Sequence, residues 1–352
     1  MSDKILTSII GAGEHAKHWA QVLQNDSRYK LKSVSSRNKD LGLKFAEENS
    51  CKYFLSTDDI LNDKSINLVI FSSDPERQVL AVQFANAKKN LILEKPLSLN
   101  LKDTEIIYNA CKKNKIFCGA GLNRYYDTFL PMLKKDLTNY LGKCFYGEYK
   151  IFLKGHSSDR HFSKDFVNKK GDIIIGSLVH NFDQINSVFG KPKSLMANRV
   201  KANLEGILLH ANVLVSYKDN ILINFSIKND CENDYGQEII LYCEKGIAHI
   251  NFNLNTVSFN LNPLNTNFSK SIFSKFKYNF IKNKRFYKFE RKKTLVTKSF
   301  QIGGQKDILN SFANKLSGKK DSDLVNIENN YISTLMAFAC YDSIKNNKWV
   351  SI

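Results

Sequence analysis

The sequence predicts a two-part α/β chain: a doubly wound parallel sheet, then an α/β part built on a large, mostly antiparallel open sheet. Short apolar runs alternate with helical segments up to residue 122, which is the pattern of βα units. A glycine turn follows the first run, and longer alternating runs typical of antiparallel strands follow between residues 145 and 252. We therefore predict one domain over 1–122 and a second over 123–352, whose final helix is a candidate to pack back on the first.

The elements of the first part follow from buried-strand runs and helix starts. Strands are predicted at 5–10, 31–35, 68–71, 91–93 and 116–118, and helices at 39–48, 57–61, 75–88 and 101–113. The helix from Pro75 is expected because proline fits the first helical turn.

The second part contains six alternating runs and three helical segments. Strands are predicted at 145–154, 193–201, 210–217, 221–227, 238–243 and 248–252, and helices at 173–189, 305–316 and 328–346.

The turn after the first strand has the pattern G-x-G-x-x-A. Gly11 allows the sharp turn, Gly13 lets a pyrophosphate approach the backbone, and Ala16 lets helix and strand pack closely. Free N–H groups at the helix start, around Glu14 and His15, suit phosphate oxygens. The pattern predicts a dinucleotide site, and the alternative is a tight turn without a ligand.

The end of the second predicted strand distinguishes between the two nicotinamide cofactors. An acidic residue would bind the ribose 2′-hydroxyl of NAD, but Ser36 and Arg37 stand there instead. A hydroxyl and a guanidinium suit a 2′-phosphate, so we predict NADP. The alternative is NAD, with Arg37 stacked on adenine.

Composition limits the class of protein and its partners. The 352 residues suffice for two domains. The seven cysteines form no C-x-x-C motif, which suggests free thiols in the cytoplasm and no metal site. No signal peptide or membrane span is predicted. The net charge of +18 indicates an anionic ligand, a nucleic acid or an anionic membrane.

Several short motifs occur in a characteristic order. Glu94-Lys95-Pro96 follows the 91–93 strand, G-L-N-R-Y lies at 121–125, H-x-x-D joins His180 to Asp183, and a glycine turn lies at 242–246. In this order the chain resembles the Gfo/Idh/MocA oxidoreductase family over nearly its whole length.

The resemblance implies a Rossmann domain and a second domain whose open sheet faces the substrate and builds homo-oligomers. The implied reaction is hydride transfer between NAD(P) and a sugar-type small molecule. It implies Lys95 and His180 as catalytic residues, with Glu94 orienting Lys95. The alternative for Lys95 is a solvated loop lysine, and the alternative for His180 is a histidine with a structural role. Further cofactor contacts are implied for Ser72, Ser73, Glu94 and Lys95. Substrate contacts are implied for Arg124, Tyr125, Lys154 and Asp183.

The chain departs from the family where many members carry an acid three or four residues before the histidine. Here those positions are Ser177 and Gly176. Asp172, Lys154 and Arg160 are candidates to compensate. Two functions stay open: an oxidoreductase acting on a sugar derivative, such as a nucleotide-linked sugar in surface-glycan biosynthesis, and a non-catalytic cofactor-binding scaffold.

A basic tract at 270–293 alternates lysines and arginines with aromatic residues. It is interpreted as an insertion packed on the sheet, as a contact for an anionic substrate, or as a peripheral contact with an anionic membrane. Nucleic acid is the least favoured partner because no nucleic-acid module accompanies the tract.

Overall fold

Two β-sheets organise the chain. The computed structural model describes residues 4–126, 130, 133–134, 137–154, 164–233, 235–253, 256–261, 284–288, 301–319 and 324–352. Two hydrophobic clusters pack around the first sheet and a third lies on the second sheet. Both sheets agree with the predicted fold class.

The first sheet is parallel throughout, with strand order β3-β2-β1-β4-β5-β6. Its strands are β1 Ile5–Ile10, β2 Tyr29–Ser35, β3 Lys52–Phe54, β4 Leu68–Phe71, β5 Asn90–Leu93 and β6 Cys118–Ala120. The order changes direction between β1 and β4, and ligands of doubly wound sheets bind outside the carboxyl ends of the strands at this point.

The helices of the first part are α1 Glu14–Gln24, α2 Lys39–Glu48, α3 Asp58–Asn62, α4 Ala81–Asn86 and α5 Leu101–Asn114. The helix predicted at 75–88 is divided, because Pro75–Leu80 is wound as a 3-10 helix before α4 begins. This tighter winding accompanies a hydrogen bond from Gln78 Nε2 to the carbonyl oxygen of Pro96 at 2.5 Å.

Among the described residues, the second sheet has nine strands in the order β14-β13-β12-β11-β7-β10-β9-β8-β15. Of the pairs between these strands, β7–β10 is parallel and the others are antiparallel. The strands are β7 Cys144–Lys154, β8 Ser194–Ala202, β9 Leu208–Ser216, β10 Leu222–Cys231, β11 Gly236–Cys243, β12 Gly246–Asn251, β13 Thr256–Leu261, β14 Lys284–Lys288 and β15 Val350–Ser351. The predicted mostly antiparallel sheet is confirmed, with three strands (β13, β14 and β15) that the sequence did not predict.

Within the described ranges, four further α-helices have defined bounds: α6 Lys164–Lys170, α7 Val179–Phe189, α8 Gln301–Leu316 and α9 Ile327–Asn346. A π-helical turn, Ile173–Leu178, precedes α7. Helix α9 packs on α7 and β8 and also reaches α5 and β6, while α8 packs on α1. Phe312 of α8 is fully buried in the same cluster as Trp19 of α1. The last two helices therefore contribute to the core of the first sheet, and the 1–122 and 123–352 division remains a prediction.

Within the described ranges, no helix combines the length and the apolar character that crossing a bilayer requires. Of the basic tract, only 284–288 is described, as strand β14 paired with β13. Positions 270–283 and 289–293 lie outside the described residues, as does Arg160. The interpretations of the tract therefore stay predictions.

Candidate active site

The phosphate turn lies at the switch point between β1 and β4. Gly11 has a φ of +113°, and a Cβ there would lie 2.1 Å from the carbonyl oxygen of Ser72, so only glycine fits. At Gly13, by contrast, a Cβ would meet nothing within 4 Å. Gly13 caps α1 without a side-chain hydrogen bond, so the first N–H groups of α1 remain to bind an anion.

A cavity of about 630 Å³ extends from this turn to the second sheet. The predicted cofactor residues come together in its wall: Gly11, Gly13, Glu14, His15, Ser36, Arg37, Ser72, Ser73, Glu94 and Lys95. Ala16 is buried beneath them. The buried hydroxyl oxygens of Ser72 and Ser73 have no hydrogen-bond partner among the described residues. These unpaired hydroxyls and the open space above Gly13 fit a dinucleotide.

Two arginines lie at the end of the cavity next to β2. Ser36 is buried, whereas Arg37 is exposed and pairs with Asp74 at 3.8 Å and Glu76 at 3.4 Å. Arg77 also lines the cavity, and its pKa is lowered by burial and then by the charge of Arg37. Two neighbouring guanidinium groups favour binding of a phosphate here.

Lys95 lies where the two halves of the cavity meet. Its Nζ donates a 2.6 Å hydrogen bond to the carbonyl oxygen of Gly176, in the turn before α7. Burial lowers the pKa of Lys95 to about 8; Glu94 opposes this shift, and Arg124 and Lys170 add to it. The amine can therefore gain or lose a proton near neutral pH.

Glu94 is held on both its side chain and its backbone. Trp19 Nε1 donates to Glu94 Oε1 at 2.8 Å, and Asn330 Nδ2 donates to the Glu94 carbonyl oxygen at 3.2 Å. The peptide bond between Lys95 and Pro96 is cis. These contacts tie the end of β5 to α1 and α9, and they keep the Lys95 backbone in place.

His180 is 9% exposed and does not line the cavity. Burial lowers its pKa well below the usual range, with smaller effects of the Lys95, Arg124 and His15 charges, so the imidazole is neutral. Its Nδ1 has no hydrogen-bond partner among the described residues. His180 therefore lies near Lys95 but behind the cavity wall, and its predicted catalytic role stays a prediction.

The four predicted substrate residues also lie outside the cavity wall. Arg124 is close enough to influence Lys95 and His180, Tyr125 packs on the first-sheet core, and Lys154 is exposed at the end of β7. Asp183 is buried, and Asn329 Nδ2 donates to its Oδ1 at 3.3 Å. Their substrate contacts stay predictions.

The structure brings other side chains to the cavity that the motifs did not indicate as site residues. Lys170 of α6 pairs with Asp74 and so connects the two parts of the chain across the opening. Asn229 of β10 also lines the wall. Asp172, which the sequence analysis named as a candidate to compensate for the missing acid, lies there too. No local pattern indicates Arg77, Lys170 or Asn229, because each reaches the cavity only through the folding of distant segments.

The fold and the cavity define a dinucleotide-binding protein. Residues 5–122 match the family described as oxidoreductase family, NAD-binding Rossmann fold, and residues 141–249 match the GFO/IDH/MocA C-terminal domain. The chain belongs to the Gfo/Idh/MocA family, so the predictions of family, enzyme class and an NAD-type cofactor are confirmed.

Individual relatives agree with this assignment. Uncharacterized oxidoreductase YrbE of Bacillus subtilis (strain 168) is 27% identical over 70% of this chain and 74% of its own length. Glucose-6-phosphate 3-dehydrogenase of the same strain is 24% identical over 63% and 69%. A crystal structure of an Agrobacterium radiobacter oxidoreductase with NAD+, L-tartaric acid and magnesium shares the fold, with a TM-score of 0.82, 14% identity and coverage of 99% and 98%.

Alanine substitutions at the two glycines should have different effects. Gly11→Ala is expected to destabilise the fold by about 1–3 kcal/mol, because its Cβ would collide with Ser72 at a strained φ. Gly13→Ala should leave stability within about 0.5 kcal/mol and weaken binding of the reduced nicotinamide dinucleotide at least tenfold. Thermal unfolding and fluorescence titration of both variants with NADH and with NADPH measure these effects. Unchanged affinity of Gly13→Ala for both dinucleotides would contradict the phosphate site.

Asp183 should make stability depend on pH. Burial raises its pKa to about 7, and the Asn329 hydrogen bond opposes this. The folded state binds this proton more tightly than the unfolded chain does. Stability should therefore fall by at most about 4 kcal/mol as pH rises from about 4 through about 7. Asp183→Asn should remove this component in urea titrations, whereas the exposed control Asp40→Asn should keep it. Identical pH profiles of the wild type and Asp183→Asn would exclude this carboxyl as the cause.

Proposed function

We propose that the chain is an NADP(H)-dependent dehydrogenase or reductase that interconverts a hydroxyl and a carbonyl group on a sugar derivative. The observation that carries the proposal is the Lys95 amine, held by Gly176 at the junction of the dinucleotide cavity and the second sheet. Glucose-6-phosphate 3-dehydrogenase, a relative, acts by its name on a phosphorylated sugar.

Lys95 moves the proton in this reaction. In the oxidative direction the neutral Nζ accepts the hydroxyl proton of the substrate, and in the reverse direction the ammonium returns it to the carbonyl oxygen. A dinucleotide held along the cavity by Gly11, Gly13 and Ser72 would supply or take up the hydride when bound. The Gly176 carbonyl orients Nζ. The hydrogen bonds of Glu94 with Trp19 and Asn330 hold the end of β5 in place. His180 is buried and neutral behind the wall. Its proposed role is to exchange a proton with the substrate oxygen, or to hold that oxygen in place, once the substrate is bound.

NADP(H) is the proposed cofactor because the end of β2 carries no carboxylate. Ser36, Arg37 and Asn38 follow the strand, and Arg77 approaches from the 3-10 helix. A 2′-phosphate would take the place of Asp74 and Glu76 as a partner of Arg37 and would form charge-assisted hydrogen bonds.

A nucleotide-linked sugar in surface-glycan biosynthesis is the proposed substrate class. Its support is the net charge of +18, which attracts a diphosphate at long range. Arg124, Tyr125, Lys154 and Asp183 are proposed as its further contacts. UDP-N-acetylglucosamine, UDP-glucose and D-glucose 6-phosphate are suitable first substrates.

The open face of the second sheet is the proposed homo-oligomer interface. It carries half-buried side chains from neighbouring strands, including the tilted Tyr146–Tyr242 pair at 5.7 Å. Lys150 pairs there with Glu238 at 3.3 Å and with Glu148 at 3.6 Å. The proposed location of the protein is the cytoplasm. The support for this proposal is the seven free cysteines.

Removing the Lys95 amine should abolish turnover but not cofactor binding. Lys95→Met is expected to lower kcat at least about 10²-fold, with little change in the Kd for NADPH. The matched control is Lys89→Met, immediately before β5, where the side chain of a buried lysine donates to the Asp63 carbonyl oxygen at 2.5 Å. In the wild type, kcat/KM for oxidation should rise with pH through an apparent pKa of about 8, because the neutral amine is the base.

The alternative function, a non-catalytic cofactor-binding scaffold, makes the opposite prediction. NADPH would bind, but neither the wild type nor any variant would transfer hydride to or from the three substrates.

The arginine pair should set the preference for NADPH. Arg37→Ala and Arg77→Ala are each expected to raise the Kd for NADPH about tenfold, a loss of roughly 1.4 kcal/mol, and to change the Kd for NADH less than threefold. Arg28→Ala is the matched control because Arg28 pairs with Asp26 at 2.5 Å, outside the cavity wall. Equal or tighter binding of NADH by the wild type would refute the choice of cofactor.

A further inference from the structure

Two cysteines face each other across neighbouring strands of the second sheet. Cys144 begins β7 and Cys243 ends β11, and the two residues are direct partners in the antiparallel ladder. The register shifts between Tyr242 and Cys243, which makes Phe145 the extra residue of a β-bulge. Because side chains alternate between the faces of a strand, the shift brings Cys144 to the same face as Cys243. Both cysteines therefore belong to the core of the second sheet, whereas Phe145 is exposed.

The distance between opposite residues of an antiparallel pair suits a disulfide bond. Such residues have Cα atoms about 4.5 or 5.5 Å apart, and disulfides join Cα atoms about 4.4–6.8 Å apart. The two side chains are also directed at each other, since a hydrogen bond joins the thiols of Cys144 and Cys243. Cys144 Sγ in addition donates to the Tyr146 carbonyl oxygen at 3.5 Å. The pair can therefore be cross-linked without a large movement of either strand.

Hydrogen bonds beside the pair keep the two strands in this register. The Glu244 N–H donates to the Lys143 carbonyl oxygen at 3.0 Å. The Lys143 N–H in turn donates to Glu244 Oε2 at 3.0 Å. These contacts lie immediately before Cys144 and immediately after Cys243, so they hold the two thiols next to each other.

The hydrogen bond between the thiols makes them chemically unequal. It lowers the pKa of Cys144, against the effect of burial, and together with burial it raises the pKa of Cys243. The thiolate, which is the nucleophile of thiol chemistry, is therefore favoured at Cys144. Cys144 and Cys243 keep only 5% and 7% of their surface exposed, so the oxidant that fits is a small hydroperoxide.

We propose that Cys144 and Cys243 form a redox modification site, at which hydrogen peroxide introduces a reversible disulfide between β7 and β11. The Cys144 thiolate attacks one peroxide oxygen, the O–O bond breaks, and hydroxide leaves and takes up the thiol's displaced proton, so that Cys144 becomes a sulfenic acid. The Cys243 sulfur then displaces the hydroxyl group of the sulfenic acid, which leaves as water with the Cys243 proton. In total the two thiols lose two electrons and two protons, and one peroxide molecule is reduced to two water molecules. A thiol reductant reverses the bond by exchange.

The disulfide stabilises the second sheet and leaves the cavity undisturbed. A cross-link constrains the unfolded chain more when it encloses a longer segment, and the segment from 144 to 243 contains β8, β9, β10 and α7. Cys144 begins β7, whereas Leu153 near the other end of this strand lines the cavity. Oxidation should therefore raise the Tm and leave cofactor binding unchanged.

The test treats the folded chain with a small molar excess of hydrogen peroxide and alkylates the remaining thiols with iodoacetamide before unfolding. Mass spectrometry of the unreduced peptides then locates any disulfide. We expect a linked Cys144–Cys243 peptide, two fewer free thiols and a Tm higher by roughly 5 °C, all reversed by dithiothreitol. NADPH affinity should stay within twofold.

Serine variants separate the roles of the two thiols. In Cys243→Ser, dimedone should label the Cys144 sulfenic acid, which has no thiol to resolve it. In Cys144→Ser, dimedone should leave Cys243 unlabelled, and peroxide should no longer raise the Tm. Cys51→Ser is the matched control, because Cys51 is a half-buried thiol whose pKa burial raises to about 11. This variant should keep both the linked peptide and the shift in Tm.

The peptide map of the wild type decides the proposal, whether or not the serine variants fold. Alkylation of both Cys144 and Cys243 after peroxide treatment would overturn it. A disulfide within the buried Cys111–Cys118 pair, whose thiols also share a hydrogen bond, would overturn it too if Cys144 and Cys243 stayed reduced. An unchanged Tm of the linked protein would refute the stabilising effect. The map requires no substrate, so its outcome is independent of the proposed function.

Discussion

The site depends on the hydrogen bond between Lys95 Nζ and the Gly176 carbonyl oxygen. This bond joins the carboxyl end of β5, where the cofactor cavity ends, to the turn that begins the helix of the second part. A partly desolvated ammonium is costly unless its protons are paired, so the contact constrains both segments to this arrangement. The proposed proton-transfer group is therefore supported by the turn that leads into α7.

The supports on the cofactor side have a different physical origin. The carbonyl group of Ser72 occupies the space that a Cβ of Gly11 would need, so β1 and β4 approach closely just where the phosphate turn begins. The hydroxyls of Ser72 and Ser73 lie in the same wall. A buried hydroxyl without a hydrogen-bond partner costs free energy. Close backbone contact and unpaired polar groups thus occur together at the switch point, and both are consistent with a site shaped for a bound dinucleotide.

Local features of the sequence predict most of the fold and the cofactor half of the site. The G-x-G-x-x-A turn and the short apolar runs depend only on neighbouring residues, and they located β1, α1 and most of the first sheet. Strands β13 and β14 were not predicted, because each is defined by pairing with its neighbour rather than by a clear pattern of its own. The substrate half depends on long-range contacts: the Lys95–Gly176 bond spans 81 residues and the Tyr341–Asp172 bond spans 169. The H-x-x-D motif located α7, but it could not show that His180 and Asp183 are buried.

The packing of α8 on α1 links the two ends of the chain. Ile308, Leu309 and Phe312 fill the same cluster as Trp19, and Tyr29 donates a hydrogen bond to the Leu309 carbonyl oxygen at 2.6 Å across 280 residues. On the ribosome, the nucleotide-binding half therefore emerges long before the segment that seals its apolar surface. Until the C-terminal helices have been synthesised, the apolar surface that α8 covers on α1 stays open to solvent.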